Sequence, residues 1–165
     1  MEEYTESSEN VDAPSAFEIL GQFLEEDGWH PHQLEGRTIY RMGFAGDSAY
    51  TTCFAQIIEE QDILIFYVVA PVKVPEGKRP DLAEFITRAN YGLHIGNLEM
   101  DYADGEVRYK SSLDFEGTAL EPRLIRNAIY PAVRTMDRYL PGALSIIYGS
   151  KSPAQAVEDV EASPV

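Results

Sequence analysis

The chain has 165 residues, 44% of them hydrophobic and 25% charged, which is typical of one globular domain and argues against wholesale disorder. Its formal net charge is -15. An acidic surface repels phosphate backbones, so the composition disfavours nucleic-acid binding.

The chain also lacks the sequence signals of export or membrane insertion. The single cysteine, Cys53, cannot form an intrachain disulfide, and it lies within an apolar, β-like run without cationic neighbours. The start of the chain has neither the basic segment nor the apolar run of a secretory signal, and no stretch reaches the about 18 apolar residues of a membrane span. We therefore expect a cytoplasmic protein.

Both ends of the chain are acidic. Residues 1–13 contain five acids and no base, and we predict that they form a disordered arm. Residues 152–165 contain three acids and are predicted to be an acidic tail with a short helix, because Ser152 and Pro153 resemble a helix start. Residues 14–151 are predicted to form a single domain.

The first half of that domain reads as one helix followed by strands. Ser15 and Glu18 form a capping-box pattern in front of residues with helical apolar spacing, and Asp27-Gly28 provides a stop. Three stretches then carry strand composition between turn-forming sequences, namely TIYRMGF (38–44), SAYTTCFAQII (48–58) and DILIFYVVA (62–70). They predict an antiparallel meander.

A second helix is predicted from Pro80, and a hairpin follows it. If Asp104-Gly105 is a two-residue turn, the register places Asp101 opposite Arg108 and Glu99 opposite Lys110. Such oppositely charged pairs favour one register. These acids are then paired with cations on a solvated face rather than available for catalysis.

The third helix is predicted to begin near Pro122, to kink at Pro131 and to end before Pro141. The whole pattern predicts an α+β fold of order α-β-β-β-α-β-β-α, with an antiparallel sheet of about five strands and helices packed on one face. Four basic residues share the polar side of the third helix, and they are Arg123, Arg126, Arg134 and Arg138. They form either a solvated helix face or a docking surface for the protein's own acidic tails or an acidic partner.

No motif predicts a catalytic residue, a metal ligand or a cofactor. His30, His32 and His94 lack the spacing and the cysteine partners of a metal site. The GSKS sequence at residues 149–152 resembles the end of a phosphate-binding loop, but it lacks the contiguous Gly-Lys-Ser/Thr that this loop requires. No Gly-x-Ser-x-Gly nucleophile motif is present either.

The strand at residues 63–69 is apolar on both of its faces, so both faces must be covered. Its candidate interaction residues are Leu64, Ile65, Phe66 and Tyr67. The protein's own helices cover the second face, or a subunit or partner does, and the sequence leaves both alternatives open.

Residues 88–153 resemble the YbjN family, described as bacterial sensory transduction regulators. The features that carry the resemblance are Arg88, Asn90, Leu93, Gly96, Asp104-Gly105, the strand VRYKSSLDFEG, Asp137, Tyr139, Leu140, Pro141, Gly149 and Pro153. The resemblance implies a fold similar to type III secretion chaperones, a dimeric state, roles in stress response and regulation, and no established catalytic residues. Leu98, where many members have an aromatic residue, and Pro131 depart from the pattern.

Taken together, these observations predict a non-catalytic cytoplasmic module that regulates or binds proteins through an apolar sheet or helix surface. We expect a homodimer with an unknown protein partner or client, no nucleic acid, no membrane and no cofactor. The alternatives are a chaperone-like holder of a client protein, a small-molecule sensor and, last, an enzyme of unrecognised type.

Overall fold

A computed structural model describes residues 13–164, which fold into one six-stranded antiparallel sheet and four α-helices. The helices are α1 (Ala16–Glu26), α2 (Arg79–Tyr91), α3 (Pro122–Ile147) and α4 (Pro153–Ala162). The strands are β1 (His32–Gln33), β2 (Ile39–Ala45), β3 (Tyr50–Ile58), β4 (Ile63–Lys73), β5 (Asn97–Met100) and β6 (Glu106–Asp114). The predicted acidic arm, apart from Ala13, lies outside the described residues.

The strands lie in the order β1-β2-β3-β4-β6-β5, and every neighbouring pair is antiparallel. The predicted fold class, an α+β domain with an antiparallel sheet and helices on one face, is confirmed. The sixth strand is β1, which pairs through only two residues with β2 at the sheet edge. A strand this short carries too little periodicity to be recognised in a sequence.

Local sequence signals set the ends of two helices as predicted. The Ser15 hydroxyl accepts the Glu18 amide at 3.2 Å, and the Glu18 carboxylate accepts the Ser15 amide at 2.7 Å, which completes the capping box. Gly28 follows the helix with a φ of 81°, a value that glycine adopts without strain. At α4 the Ser152 hydroxyl accepts the Gln155 amide at 3.2 Å. Both caps satisfy amides that a helix start leaves unpaired.

The predicted register of the β5–β6 hairpin is wrong by two residues. Glu99 lies opposite Arg108 instead of Lys110, and residues 101–105 form a wider loop in place of a two-residue turn. The wide loop docks on a distant segment: the Val74 amide donates to the Gly105 carbonyl at 2.8 Å, and Arg79 donates to the Tyr102 carbonyl at 3.1 Å. A shift of two residues leaves every side chain on its predicted face.

Helix α3 continues through both internal prolines to Ile147, so its predicted end before Pro141 is wrong. Pro141 has no amide hydrogen for the carbonyl of Asp137 four residues earlier, and the Ser48 hydroxyl donates to that carbonyl at 2.8 Å instead. Beyond Pro141, Gly142 allows close approach, since a Cβ there would lie 2.8 Å from Val160 and 2.9 Å from Phe85. Packing therefore keeps the last turns helical.

The core lies between the sheet and the helices. The sheet contributes one row of buried side chains from each central strand, such as Ala55, Phe66 and Tyr109, and α3 contributes its whole inner face. Helix α4 packs against α2 and α3 through the buried residues Pro153, Ala156, Val157 and Val160. The division into an arm, a domain of residues 14–151 and a tail stays a prediction.

Candidate functional site

The two faces of the sheet differ in cover. Leu64, Phe66 and Val68 of β4 are fully buried on the face under the helices, whereas the alternating residues of the same strand are half-buried. No helix within residues 13–164 covers the second face, which we call the open face. Its central side chains are Ile39, Arg41, Phe54, Gln56, Ile63, Ile65, Tyr67, Val69, Arg108, Lys110 and Ser112.

An apolar row runs across the middle of the open face. Phe54 lies opposite Tyr67, and Ile58 lies opposite Ile63, in the β3–β4 pair. Side chains directly opposite each other in an antiparallel pair stand about 5 Å apart, so they cover each other in part. Their half-buried state comes from this mutual cover. The apolar surface is continuous along β4, and Gln56 opposite Ile65 interrupts it on β3.

A charged border lies beside the apolar row. The Arg108 guanidinium stacks over the Tyr67 ring, 4.2 Å from its centroid, and its Nε donates to Glu99 at 2.5 Å. The Lys110 ammonium lies 3.0 Å from the other oxygen of Glu99. Partial burial acts to raise the pKa of Glu99, but the hydrogen bonds and charges of Lys110 and Arg108 outweigh it and lower that pKa. Glu99 is therefore an ionised, fixed carboxylate.

Tyr50 extends the apolar surface towards β2. A Cβ at Gly43 would lie 1.6 Å from the Tyr50 hydroxyl, so the missing side chain leaves room for the tyrosine ring to lie across the sheet. Tyr50 is 65% exposed. A half-exposed apolar row with tyrosine and arginine at its border has the composition of a protein interface.

The four strand residues proposed from sequence divide between the two faces. Leu64 and Phe66 are fully buried in the core and cannot contact a partner, because alternate residues of a strand point to opposite sides. Ile65 and Tyr67 lie on the open face. The structure therefore leaves two of these four residues as candidates for an interaction.

The four arginines proposed from sequence lie on the outer side of α3, and we call them the arginine ridge (Arg123, Arg126, Arg134 and Arg138). Arg123, Arg126 and Arg134 are exposed, and Arg138 is half-buried. Arg126 and Arg134 approach the Tyr130 ring, at 5.4 and 5.7 Å from its centroid. Arg138 reaches the backbone carbonyl of Glu161 in α4 at 3.5 Å.

Asp27, which the sequence presented only as a helix stop, links α1 to α3. Its carboxylate accepts the Arg126 guanidinium at 2.8 Å, the Tyr130 hydroxyl at 2.6 Å and the Trp29 indole at 3.1 Å. Burial acts to raise the pKa of Asp27, but these hydrogen bonds and the Arg126 charge lower it overall. The residues next to Asp27 in the sequence do not indicate that Arg126 and Tyr130, about 100 positions away, are its partners.

Two residues that carried the family resemblance also have structural roles. The Asp137 carboxylate accepts the amides of Asp47 at 3.0 Å and Ser48 at 2.8 Å, which fixes the β2–β3 turn on α3. The Asn90 amide group bonds both backbone atoms of Leu98, at 2.8 and 2.9 Å, and fixes β5 on α2. Both residues position the sheet.

Within residues 13–164, no three His, Cys, Asp or Glu side chains are placed to share a metal ion. No helix in this part of the chain is long and apolar enough to cross a bilayer. The strongest features of the described residues are thus the open face and the arginine ridge.

Comparison with known proteins decides the family. The YbjN family model, described as "Putative bacterial sensory transduction regulator", matches residues 16–144. The chain belongs to the YbjN family. No curated protein matches it. The family assignment confirms the resemblance that residues 88–153 indicated.

Three solved structures are similar to this chain, and the first of them supports the same fold. The crystal structure of YbjN from E. coli, described as a putative transcription regulator, matches with a TM-score of 0.57 and 12% identity, and the match covers 81% of this chain and 89% of that one. The ExsC–ExsE complex matches with a TM-score of 0.49 and 15% identity, covering 72% and 85%. The Yersinia pestis type III secretion chaperone SycH, in complex with a YscM2 fragment, matches with a TM-score of 0.48 and 14% identity, covering 73% and 95%.

Proposed function

We propose that this YbjN-family protein is a non-catalytic, cytoplasmic regulatory module that binds a protein chain through the open face of its sheet, and that it forms a homodimer through this face. The observation that carries the proposal is the difference between the two sides of β4. Leu64 is covered by helices, while Ile65 and Tyr67 beside it are only half-buried. Uncovered apolar area of this kind favours association because burying it is worth roughly 25 cal/mol per Å².

The border of the open face supplies specificity. Glu99 and Arg108 are already held in one geometry by each other and by Tyr67 and Lys110, so little side-chain entropy is lost when a partner contacts them. Tyrosine and arginine at the margin of an apolar row are the residue types that dominate binding energy in protein interfaces. A second copy of the chain presents the same combination, which suits a symmetric dimer.

The test compares aspartate substitutions on the two faces of one strand. Ile65→Asp places a charge on the open face and should abolish association while the domain stays folded. Leu64→Asp places the same charge in the core and should unfold the domain, because an unpaired buried carboxylate costs several kcal/mol. Light scattering measures the mass, and circular dichroism measures the fold.

A matched control uses an apolar side chain elsewhere. Tyr91 is 97% exposed at the end of α2, so Tyr91→Asp removes a larger exposed apolar group without touching the open face. It should leave both mass and fold unchanged. If Ile65→Asp keeps the mass of the unmodified protein, or if Tyr91→Asp lowers the mass equally, the open face is not the interface.

The same variants separate self-association from client binding. If the tagged unmodified chain forms a dimer and captures no other protein, a second copy of the chain covers its open face. A stoichiometric client that is lost only in Ile65→Asp indicates a chaperone-like use of the same surface. Self-association and client binding both use the open face in this proposal, and the identity of the bound partner distinguishes the two.

A further inference from the structure

The arginine ridge places four basic side chains along one helix of an acidic molecule. The sequence has 28 acidic residues and only 13 lysines and arginines, so basic side chains have many acids to pair with. Arg126 has such a pair, with Asp27. Within residues 13–164, neither Arg123 nor Arg134 lies within ion-pair distance of a carboxylate, and Arg138 reaches only a backbone carbonyl.

A groove accompanies the ridge. It has a volume of about 390 Å³ and is lined by Ile95, Arg126, Asn127, Tyr130, Pro131 and Arg134. Ile95 is 48% exposed, which is high for a large apolar side chain. The groove thus combines apolar walls with two guanidinium groups, and it suits an extended acidic segment that also carries apolar side chains.

We propose that residues 1–12 of this chain bind the arginine ridge and its groove. These residues contain Glu2, Glu3, Glu6, Glu9 and Asp12 and no base, so their charge complements the ridge. They also contain Tyr4, which provides an apolar group for the wall formed by Ile95 and Pro131. This inference concerns α3 and does not depend on the use of the open face.

The position of the segment makes the contact reachable. Residues 1–12 precede α1, whose far end lies at the ridge through the Asp27–Arg126 pair. A segment that starts at Ser15 must run about 16 Å along α1, at 1.5 Å per residue, to reach Arg126. It must run about 18 Å further to follow the ridge from Arg126 to Arg138. The 14 residues before the Ser15 cap span about 46 Å when extended, which exceeds the sum. Residues 10–14 cross the path along α1, and residues 1–9, with four of the five acids, reach the ridge.

The contact has a regulatory consequence. A tethered segment acts at an effective concentration in the millimolar range, so contacts that are weak one by one occupy the ridge for much of the time. Any other acidic segment must displace residues 1–12 to reach α3. The acidic arm therefore sets the affinity and selectivity of this side of the molecule.

Paramagnetic relaxation in the full-length chain tests the proposal. Ser8→Cys introduces a site for a nitroxide label, and Cys53 does not compete because it is fully buried. The label should broaden the amide signals of residues 123–138 more than those of α2, and 1 M salt, which shortens the Debye length to about 3 Å, should abolish the difference.

Two charge variants provide the comparison. Arg123→Gln/Arg134→Gln removes two charges from the ridge, and each loss should weaken docking by up to about fivefold, the upper range for exposed ion pairs. Arg37→Gln/Lys78→Gln removes two charges outside α3 and should leave the broadening unchanged. Equal broadening in both variants, or broadening spread evenly over the surface, overturns the proposal.

The label also distinguishes the tethered contact from one between molecules. In a mixture of spin-labelled chains with ¹⁵N-labelled chains that carry no spin label, a tethered arm gives no broadening of α3. Broadening in that mixture equal to that within one molecule would mean that the arm docks on a second copy. That result would also overturn the proposal.

Discussion

Replacing Asp27 by asparagine should destabilise the protein more than replacing any exposed acid. Asp27 is 15% exposed and accepts hydrogen bonds from Arg126, Tyr130 and Trp29. Hydrogen bonds to a charged group contribute about 1.5–3 kcal/mol each, but the three share one carboxylate, and the amide still accepts one of them. We therefore expect Asp27→Asn to lower the free energy of unfolding by about 2–4 kcal/mol.

The loss should depend on pH with a defined sign. The pKa of Asp27 is lowered in the folded state, so the carboxylate stabilises the protein above the unfolded value of about 3.9. That contribution disappears as the pH falls through the folded-state pKa. The difference between the unmodified protein and Asp27→Asn should therefore be full at pH 7 and should shrink below pH 4.

Urea unfolding followed by far-ultraviolet circular dichroism measures both effects, since Trp29 fluorescence would itself respond to the substitution. The control is Asp159→Asn. Asp159 pairs with Lys151 but is 47% exposed, so its loss should cost no more than about 1 kcal/mol. If the two variants lose equal stability, or if the Asp27→Asn difference is constant from pH 7 to pH 3, the network does not contribute as described.

Three further predictions concern single buried or constrained positions. Within residues 13–164 the buried Ser111 hydroxyl has no hydrogen-bond partner, so Ser111→Ala should keep or raise the melting temperature, and a fall of several degrees in calorimetry would contradict this. Gly105 has a φ of 79°, and a Cβ there would lie 2.2 Å from the Val74 carbonyl oxygen. Gly105→Ala should thus cost at least about 1 kcal/mol in urea unfolding, whereas Gly77→Ala, with open space around it, should cost less. Burial raises the pKa of Cys53 to about 12, so the native thiol should not react with a disulfide reagent at pH 8 until urea unfolds the chain, and rapid native labelling would refute its burial.

Local sequence patterns predicted the elements whose ends are fixed by nearby residues. Ser15 and Glu18 bond each other across three positions, and the predicted start of α1 is correct for that reason. The unbroken apolar run in residues 63–69 likewise predicted that β4 has two apolar faces, because side-chain period is a property of the strand itself. It did not tell which of Leu64 and Ile65 faces the helices.

The errors arose where distant residues decide the outcome. The hairpin loop at residues 101–105 is wide because Val74 and Arg79 bond its backbone, and neither is adjacent in sequence. Helix α3 continues past Pro141 because Ser48 bonds the carbonyl that the proline leaves free. Sequence patterns are limited in the same way at the candidate surfaces. Asp27 bonds Arg126 and Tyr130, and no local sequence pattern connects these residues.

The bond between the β2–β3 turn and α3 has a consequence for the order of folding during synthesis. Ser48 leaves the ribosome 89 residues before Asp137, the residue that fixes its turn. Strands β2 and β3 can pair early through local contacts, but the loop closure that locks their turn must wait for α3. The nascent sheet therefore passes through a stage in which only α1 covers its inner face, and the last third of the chain decides when that stage ends.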